Sequence, residues 1–178
     1  GPISINSSST VRARAFSEDN KASRISASKF RKVELLEPVS VTSLQAGLIY
    51  KYFKHTGFDF LPDFGNFEPQ KVSTTTVITI EDLRDQDDYF AFEFEGFIEI
   101  TEAGRYTFFT NSDDGSKLFI HGQEIVNNDG THGMREREGE VMLLEGLHPI
   151  KIQHFENGGG EGLEVTYKGP VFEQMEIP

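Results

Sequence analysis

Two adjacent carboxylates, Asp113 and Asp114, are the residues whose placement most directly suggests chemistry. Like charges in contact repel each other unless solvent or a cation screens them. The surrounding segment, N-S-D-D-G over residues 111–115, also suits a plain turn, because Asn, Ser and Asp bond their own backbone and Gly supplies a positive φ. The sequence therefore predicts a turn here and marks it as the first place to expect a metal ion.

Two later segments also combine polar side chains with glycine. Residues 127–133 read N-N-D-G-T-H-G, and residues 156–162 read E-N-G-G-G-E-G. Rigid β-scaffolds delegate binding to loops, so these segments and residues 113–115 are expected to cluster at one end of the fold. No helix follows the glycine-rich run to bind phosphate, so a nucleotide site is not supported. The candidate ligand-binding residues are Asp113, Asp114, Asn128, Asp129, His132 and Asn157.

The sequence contains no arrangement that is typical of an enzyme. No H-E-x-x-H motif, histidine and carboxylate cluster or Ser-His-Asp order can be picked out, so the five histidines are expected to be structural. Glycoside hydrolysis needs two carboxylates at a defined separation, but most acidic residues on a chain of net charge −12 are solvated surface. We therefore predict no catalytic residue in this chain.

The charge of the chain limits its partners and divides it into two parts. A net charge of −12 argues against nucleic acid, because phosphate binding needs a basic surface. The first 37 residues hold seven Lys or Arg against four Asp or Glu, giving +3, so the remainder carries −15. The sequence has no Cys, no apolar run of membrane-spanning length and no signal peptide at its start, so any export signal is expected outside it.

Strand patterns flank the acidic turn. Apolar residues alternate over residues 106–110 and 118–121 with the period of two that is typical of half-buried strands. Residues 89–101 form the longest predicted strand, with Phe and Ile on one face and glutamates, including Glu93, on the solvent face. Gly96 falls on the apolar face, where it indicates a bulge or a close approach. With no long helix, the sequence predicts an all-β, mostly antiparallel sandwich.

Residues 54–70 form a loop that is rich in phenylalanine. Phe58, Phe60, Phe64 and Phe67 alternate with Gly and Pro, which prevent a long regular element. The rings could plug the open end of the sandwich, or they could stack on sugar rings. We favour the plug, because sugar platforms usually use Trp and Tyr.

The runs Y-T-F-F-T-N-S-D-D-G-S-K-L-F-I-H-G-Q-E-I-V and L-L-E-G-L-H-P-I-K-I-Q-H-F-E-N-G-G-G-E-G-L-E-V-T-Y carry a family resemblance. The chain resembles the protective-antigen-type ("PA fourteen") β-sandwich domain over about residues 46–169. His154 and Tyr167 depart from its usual Tyr and Trp. The resemblance implies an antiparallel β-sandwich with jelly-roll-like topology, in a family attached to glycoside hydrolases, proteases and adhesins.

The resemblance also implies a metal. In the adhesin branch of this family, two adjacent aspartates joined by a cis peptide and an Asn from a late loop bind the Ca²⁺ that holds sugar hydroxyls. Asp113 and Asp114 match the aspartates residue for residue, and Asn157 matches the Asn by its position in the chain. The expected metal ligands are therefore Asp113, Asp114 and Asn157, with Ca²⁺ as the cofactor.

The N-terminal part carries a second resemblance. Its run S-S-T-V-R-A-R-A-F is similar to the C-terminal half of the chitobiase-type, fibronectin-like domain of β-hexosaminidases. We expect a partial module over residues 1–37, a linker over 38–45, the sandwich over 46–170 and a tail over 171–178. The alternative is an extra β-hairpin that belongs to the following domain.

These features lead to three functional hypotheses. The first is a non-catalytic accessory module of an exported, β-hexosaminidase-like glycoside hydrolase, which binds a glycan or docks on the catalytic domain of the parent chain. The second is a structural spacer without a ligand. The third is a calcium-dependent, adhesin-like lectin. All three imply an extracytoplasmic protein that has no nucleic-acid partner and no membrane span.

Overall fold

A computed structural model describes residues 3–30 and 32–178. The chain divides into two compact units, Gly1–Glu34 and Leu35–Pro178. Within the described residues the one helical element is a 3₁₀ turn at Phe64–Asn66, and no helix is long and apolar enough to cross a membrane. The strands are β1 Ser9–Ala13, β2 Ser26–Phe30, β3 Leu48–Lys54, β4 Lys71–Thr75, β5 Phe90–Ile100, β6 Gly104–Asp113, β7 Ser116–Ile120, β8 Gln123–Asn128, β9 Arg135–Leu143, β10 Gly146–Glu156, β11 Gly162–Lys168 and β12 Met175–Glu176.

The first unit is a β-hairpin. Strands β1 and β2 pair antiparallel, and a single bridge between Phe16 and Ala22 continues the ladder towards the turn. Asn20 closes that turn with a φ of 65°, a conformation that Asn tolerates better than most residues. No residue in the described part of this unit is buried. The unit is therefore a two-stranded element without a core of its own.

The second unit is a β-sandwich of two antiparallel sheets. The six-stranded sheet has the order β4-β3-β5-β10-β7-β8, and the four-stranded sheet has the order β12-β11-β6-β9. Phe90, Phe92 and Phe94 of β5 and Tyr106 and Phe108 of β6 are among the buried side chains of the core. Burying each such ring contributes about 1.5–3 kcal/mol relative to leaving it exposed. The predicted all-β, antiparallel sandwich is confirmed.

Glu93 corrects one expectation about the longest strand. We expected its carboxylate in solvent, but Glu93 is only 4% exposed. Lys51 of β3 donates to it at 2.8 Å, Gln153 of β10 donates at 2.8 Å, and Lys151 of β10 lies 3.5 Å away. Side chains of the two neighbouring strands therefore cover the carboxylate. The close approach expected at Gly96 is confirmed, because a Cβ there would collide with Leu48.

The ends of the sandwich extend further than the sequence suggested. Residues 171–178, expected to be a tail, include the two-residue strand β12 on the edge of β11. They also place Phe172 against the rings of Tyr106 and Tyr167, with centroids 6.2 and 4.8 Å away. At the other end, Val39 of the expected linker donates its N–H to Leu147 at 2.8 Å. Both segments belong to the sandwich because they bury apolar rings or complete its backbone pairing.

Candidate functional site

The acidic turn connects two strands of different sheets. We expected a turn over residues 111–115, but strand β6 continues to Asp113. Its backbone pairs with β11 as far as Asp113 and with β9 as far as Ser112. The bond between Asp113 and Asp114 is cis. Gly115 does not have the positive φ that we expected. Its role is instead a close approach, since a Cβ there would collide with the ring of Phe155 and lie 3.0 Å from the backbone nitrogen of Gly130.

The three polar loops meet at Asp114. The N–H of His132 donates to one oxygen of its carboxylate at 2.8 Å, and the N–H of Asn157 donates to the other at 2.9 Å. Gly133 and Gly160 flank Asp113, because a Cβ on either glycine would lie within 4 Å of the Asp113 Oδ2. The prediction that the loops cluster at one end of the fold is confirmed. Whether they bind a ligand stays a prediction.

Glu156 completes the acidic group and was not among the predicted site residues. One carboxylate oxygen from each of Asp113, Asp114 and Glu156 lies within 4.8 Å of the others. Glu156 is fully buried, and neither of its oxygens has a hydrogen bond of good geometry among the described residues. The backbone N–H groups of Gly158 and Asp114 lie near its carboxylate and lower its pKa, but burial and the neighbouring charges outweigh them. A usable signal existed in the sequence: Ile150 and Ile152 point inward, so residue 156 of the same strand does too.

The electrostatics of this group favour a proton or a cation. Burial, and then the negative charges of Asp114 and Asp113, raise the pKa of Glu156 to about 8. Burial and the charge of Asp114 also raise the pKa of Asp113. Three carboxylates at this spacing cannot all be ionised cheaply without a positive charge among them. We refer to Asp113, Asp114 and Glu156 as the carboxylate triad.

Asn128, one of the ligand-binding candidates, lies inside the scaffold. It is fully buried. Its side-chain amide donates to the backbone oxygen of Arg135 at 2.7 Å and to the Ser112 Oγ at 3.2 Å, while its side-chain oxygen accepts from the Arg135 Nε at 2.8 Å. These bonds join β6, β8 and β9 behind the triad. These bonds stabilise the scaffold, and a contact of Asn128 with a ligand stays a prediction.

Asn157 and Asp129 hold the phenylalanine loop. The side-chain oxygen of Asn157 accepts the N–H of Phe58 at 2.8 Å, and its amide donates to the Phe58 carbonyl. Asp129 accepts the N–H of Leu61 at 2.8 Å and forms an ion pair with Lys117 at 3.0 Å. The side chain of Asn157 is therefore occupied by the backbone of Phe58, and its expected role as a metal ligand stays a prediction.

The histidines occupy structural positions. Both ring nitrogens of His132 lie 2.9 Å from backbone oxygens, those of Gly133 and Asn128. His148 is buried between the ring of His121 and the carbonyl of Leu144, each 2.8 Å away. His154 lies in the core, where burial lowers its pKa to about 3, so it is neutral at physiological pH. No His joins the carboxylate triad as a metal ligand within the described chain.

A separate groove of about 490 Å³ lies on the outer face of the six-stranded sheet. Its lining includes Phe97, Phe119 and Pro149, with Lys151 and Glu95 at the side. The two charged residues pair with each other at 2.9 Å. None of the described residues that line this groove has a buried polar atom without a partner, whereas Glu156 in the loop cluster has two, so the loop cluster is the candidate site.

The fold and the loop cluster together define a non-helical sandwich with an acidic site at one pole, and comparison with known proteins identifies its family. The sequence profile of the PA14 domain matches residues 44–171. The chain therefore belongs to the PA14 domain family. A search of curated proteins found no match.

Solved structures share the fold at low sequence identity. The PA14 domain of the MpAFP antifreeze protein superposes with a TM-score of 0.66 at 17% identity, over 78% of this chain and 90% of that one. A PA14 sugar-binding domain from an RTX adhesin gives 0.60 at 19% identity, over 73% and 94%. An anti-sigma factor domain-containing protein gives 0.65 at 19% identity, over 75% of this chain and 46% of that one, so the chain spans about half of its length.

Proposed function

We propose that this PA14 domain is a non-catalytic carbohydrate-binding module whose ligand binds at the loop cluster. The observation that carries the proposal is the convergence of three loops on Asp114, beside the buried carboxylate of Glu156, which lacks a hydrogen bond of good geometry within the described part of the chain. The structural similarity to a PA14 sugar-binding domain supports it. Sugar hydroxyls both donate and accept hydrogen bonds, so they suit a rim of carboxylates and backbone groups.

The carboxylate triad fits Ca²⁺. Calcium prefers six to eight oxygen ligands, and carboxylates and backbone carbonyls are its usual protein donors. The unpartnered oxygens of Glu156 are the observation that favours a cation here, because a buried acceptor without a partner is costly. Asp113, Asp114 and Glu156 would hold the ion, with Glu156 in place of the Asn157 that the family resemblance implied. Bound calcium would supply coordination positions for sugar hydroxyls.

The wider context is also part of the proposal. We propose that the parent protein is an exported glycoside hydrolase of the β-hexosaminidase type and that the domain works outside the cytoplasm, beside a catalytic domain. The resemblance of residues 1–37 to a chitobiase-type module supports this parentage. A spacer role without a ligand is the second candidate, and the internal bonds of Asn128, Asp129 and Asn157 favour it, because those side chains are committed to the fold.

The test is a glycan array with the wild-type protein in CaCl₂ and in EDTA, together with Asp114→Asn. Binding that requires calcium and is lost in Asp114→Asn is the expected result. Glu99→Gln is the matched control, because Glu99 is an exposed carboxylate on β5 that has no described bond. Absence of binding to every glycan, with the variants folded, would leave the spacer role. The coding sequence upstream of this chain tests the parentage separately.

Calcium itself is tested by calorimetric titration of EDTA-stripped protein. At a free calcium concentration of 100 times the dissociation constant, binding to the folded state raises the free energy of unfolding by about 2.7 kcal/mol. The thermal midpoint of the wild type is therefore expected to rise with calcium, and that of Asp114→Asn is not. No heat and an unchanged midpoint in the wild type would contradict a calcium site.

A further inference from the structure

Phe60 differs from the other rings of the phenylalanine loop. Phe64 is 5% exposed and packs on Phe53 with ring centroids 4.8 Å apart. Phe58 stacks on His55 at 4.0 Å, and Phe67 packs edge-on against Phe58 at 5.5 Å. These contacts agree with the expected plug. Phe60 is 66% exposed and takes part in none of the ring pairs between described residues.

The backbone on both sides of Phe60 is held by the site loops. Asn157 binds the N–H and the carbonyl of Phe58, and the Asp129 carboxylate accepts the N–H of Leu61. Ordering an exposed apolar side chain brings no hydrophobic gain within the free domain. Holding it in place does reduce the entropy that a ligand must overcome when it packs there. The site loops therefore hold the backbone on both sides of Phe60, and the ring itself stays exposed.

That position adjoins the carboxylate triad. A Cβ on Gly130 would lie 3.7 Å from the ring of Phe60, and the backbone nitrogen of the same glycine lies 3.0 Å from where a Cβ on Gly115 would be. Gly115 directly follows Asp114. Phe60 and Gly115 of the acidic turn therefore both lie beside Gly130. A ligand that reaches from the triad across Gly130 meets the ring of Phe60.

We propose that Phe60 is a ligand-contacting residue, on which the apolar face of one pyranose ring of an oligosaccharide packs while another ring is held at the carboxylate triad. The proposal rests on the carbohydrate-binding function. A pyranose presents C–H groups on one face and hydroxyls at its edge, so an exposed ring beside a cluster of carboxylates matches both parts. The site would then select ligands of at least two sugar rings.

The test compares Phe60→Ala and Phe60→Trp with Phe97→Ala as the matched control. Phe97 is an exposed ring (41%) on the outer face of β5, so its removal reports the effect of losing a surface phenylalanine elsewhere. The probes are lactose, cellobiose, N,N′-diacetylchitobiose and the corresponding monosaccharides, followed by saturation-transfer NMR and calorimetry in CaCl₂. All variants are first checked for an unchanged thermal midpoint.

We expect at least one of the disaccharides to bind the wild type and Phe60→Trp with similar affinity. Its affinity for Phe60→Ala should be about ten-fold lower, a factor that corresponds to one lost aromatic contact. Monosaccharide affinity should not change between wild type and Phe60→Ala. If Asp114→Asn abolishes binding but Phe60→Ala behaves like Phe97→Ala, the proposal for Phe60 is overturned and the carbohydrate function stands. Absence of binding by wild type to any probe would overturn both.

Discussion

Two buried glutamates lie in different regions of the sandwich, and the comparison shows what burial of a charge requires. Glu93, on the outer face of the six-stranded sheet, is 4% exposed, and Lys51, Lys151 and Gln153 surround it. Glu156, at the loop pole, is 0% exposed, and its carboxylate has no hydrogen bond of good geometry to any residue that the structure describes. Burial raises the pKa of Glu156, whereas two lysines compensate the charge of Glu93. Positive side chains therefore accompany the buried charge on the sheet face, and no described side chain does so for Glu156.

The largest expected effect is on the pH dependence of stability. The folded-state pKa of Glu156 is raised from 4.5 to about 8, so its stabilising contribution is present below about pH 4.5 and is lost as the pH rises through 8. In EDTA, the free energy of unfolding should fall by about 2–4 kcal/mol between acidic and alkaline pH, measured by urea denaturation. Glu156→Gln should flatten this profile.

The same pH profile is also measured with calcium present. With the ion bound, Glu156 is neutralised without a proton, so the pH profile of the wild type should flatten as well. Parallel profiles for wild type and Glu156→Gln in EDTA would show that Glu156 is not the titrating group. The contrast between an uncompensated Glu156 and a compensated Glu93 would then be wrong.

The second effect concerns the paired glutamate. Lys51→Met with Lys151→Met leaves Glu93 buried without a positive charge, and the free energy of unfolding should fall by about 2 kcal/mol at neutral pH, because the lysines are partly exposed and screened. Adding Glu93→Gln should recover part of the loss. A double variant as stable as wild type in urea would mean that solvent alone supports Glu93.

The smallest expected effect is on stability and concerns the bonds by which Asn157 anchors the phenylalanine loop. Asn157→Ala removes both bonds to Phe58, and we expect a loss of about 1–2 kcal/mol in the free energy of unfolding. Asn111→Ala is the control, since Asn111 makes a single exposed bond to Glu164 at 2.9 Å and should cost less. The amide of Phe58 should exchange with deuterium faster in Asn157→Ala. Unchanged exchange would contradict the anchoring role of Asn157.

Much of the fold was accessible from the sequence because its patterns are local. Alternating apolar residues located β5, β6, β7, β10 and β11, and the glycine-rich polar segments located the loops that meet at Asp114. The phenylalanine loop could be placed as a plug because Gly and Pro exclude a regular element there. The exposure of Phe60 could not be predicted, because it depends on which rings pack against each other in the folded domain.

The site could be predicted in part, for a physical reason. Asn128 and Asn157 belong to the right loops, but the partners of an amide side chain lie on other strands and leave no trace in local sequence. Glu156 was overlooked because E-N-G-G-G reads as the start of a loop, although the strand continues through it. The burial of Glu93 could not be predicted from the sequence either, because lysines on the two neighbouring strands cover its carboxylate.

The short strand β12 has a consequence for the solubility of the domain. Without it, β11 would be the open edge of the four-stranded sheet, and unpaired edges are templates for pairing with other chains. Met175 and Glu176 pair with Tyr167 and Thr166, and Phe172 shields the ring of Tyr167. A version of the domain that ends before Phe172 would expose a backbone edge beside apolar rings. Such a fragment should self-associate through its sheet.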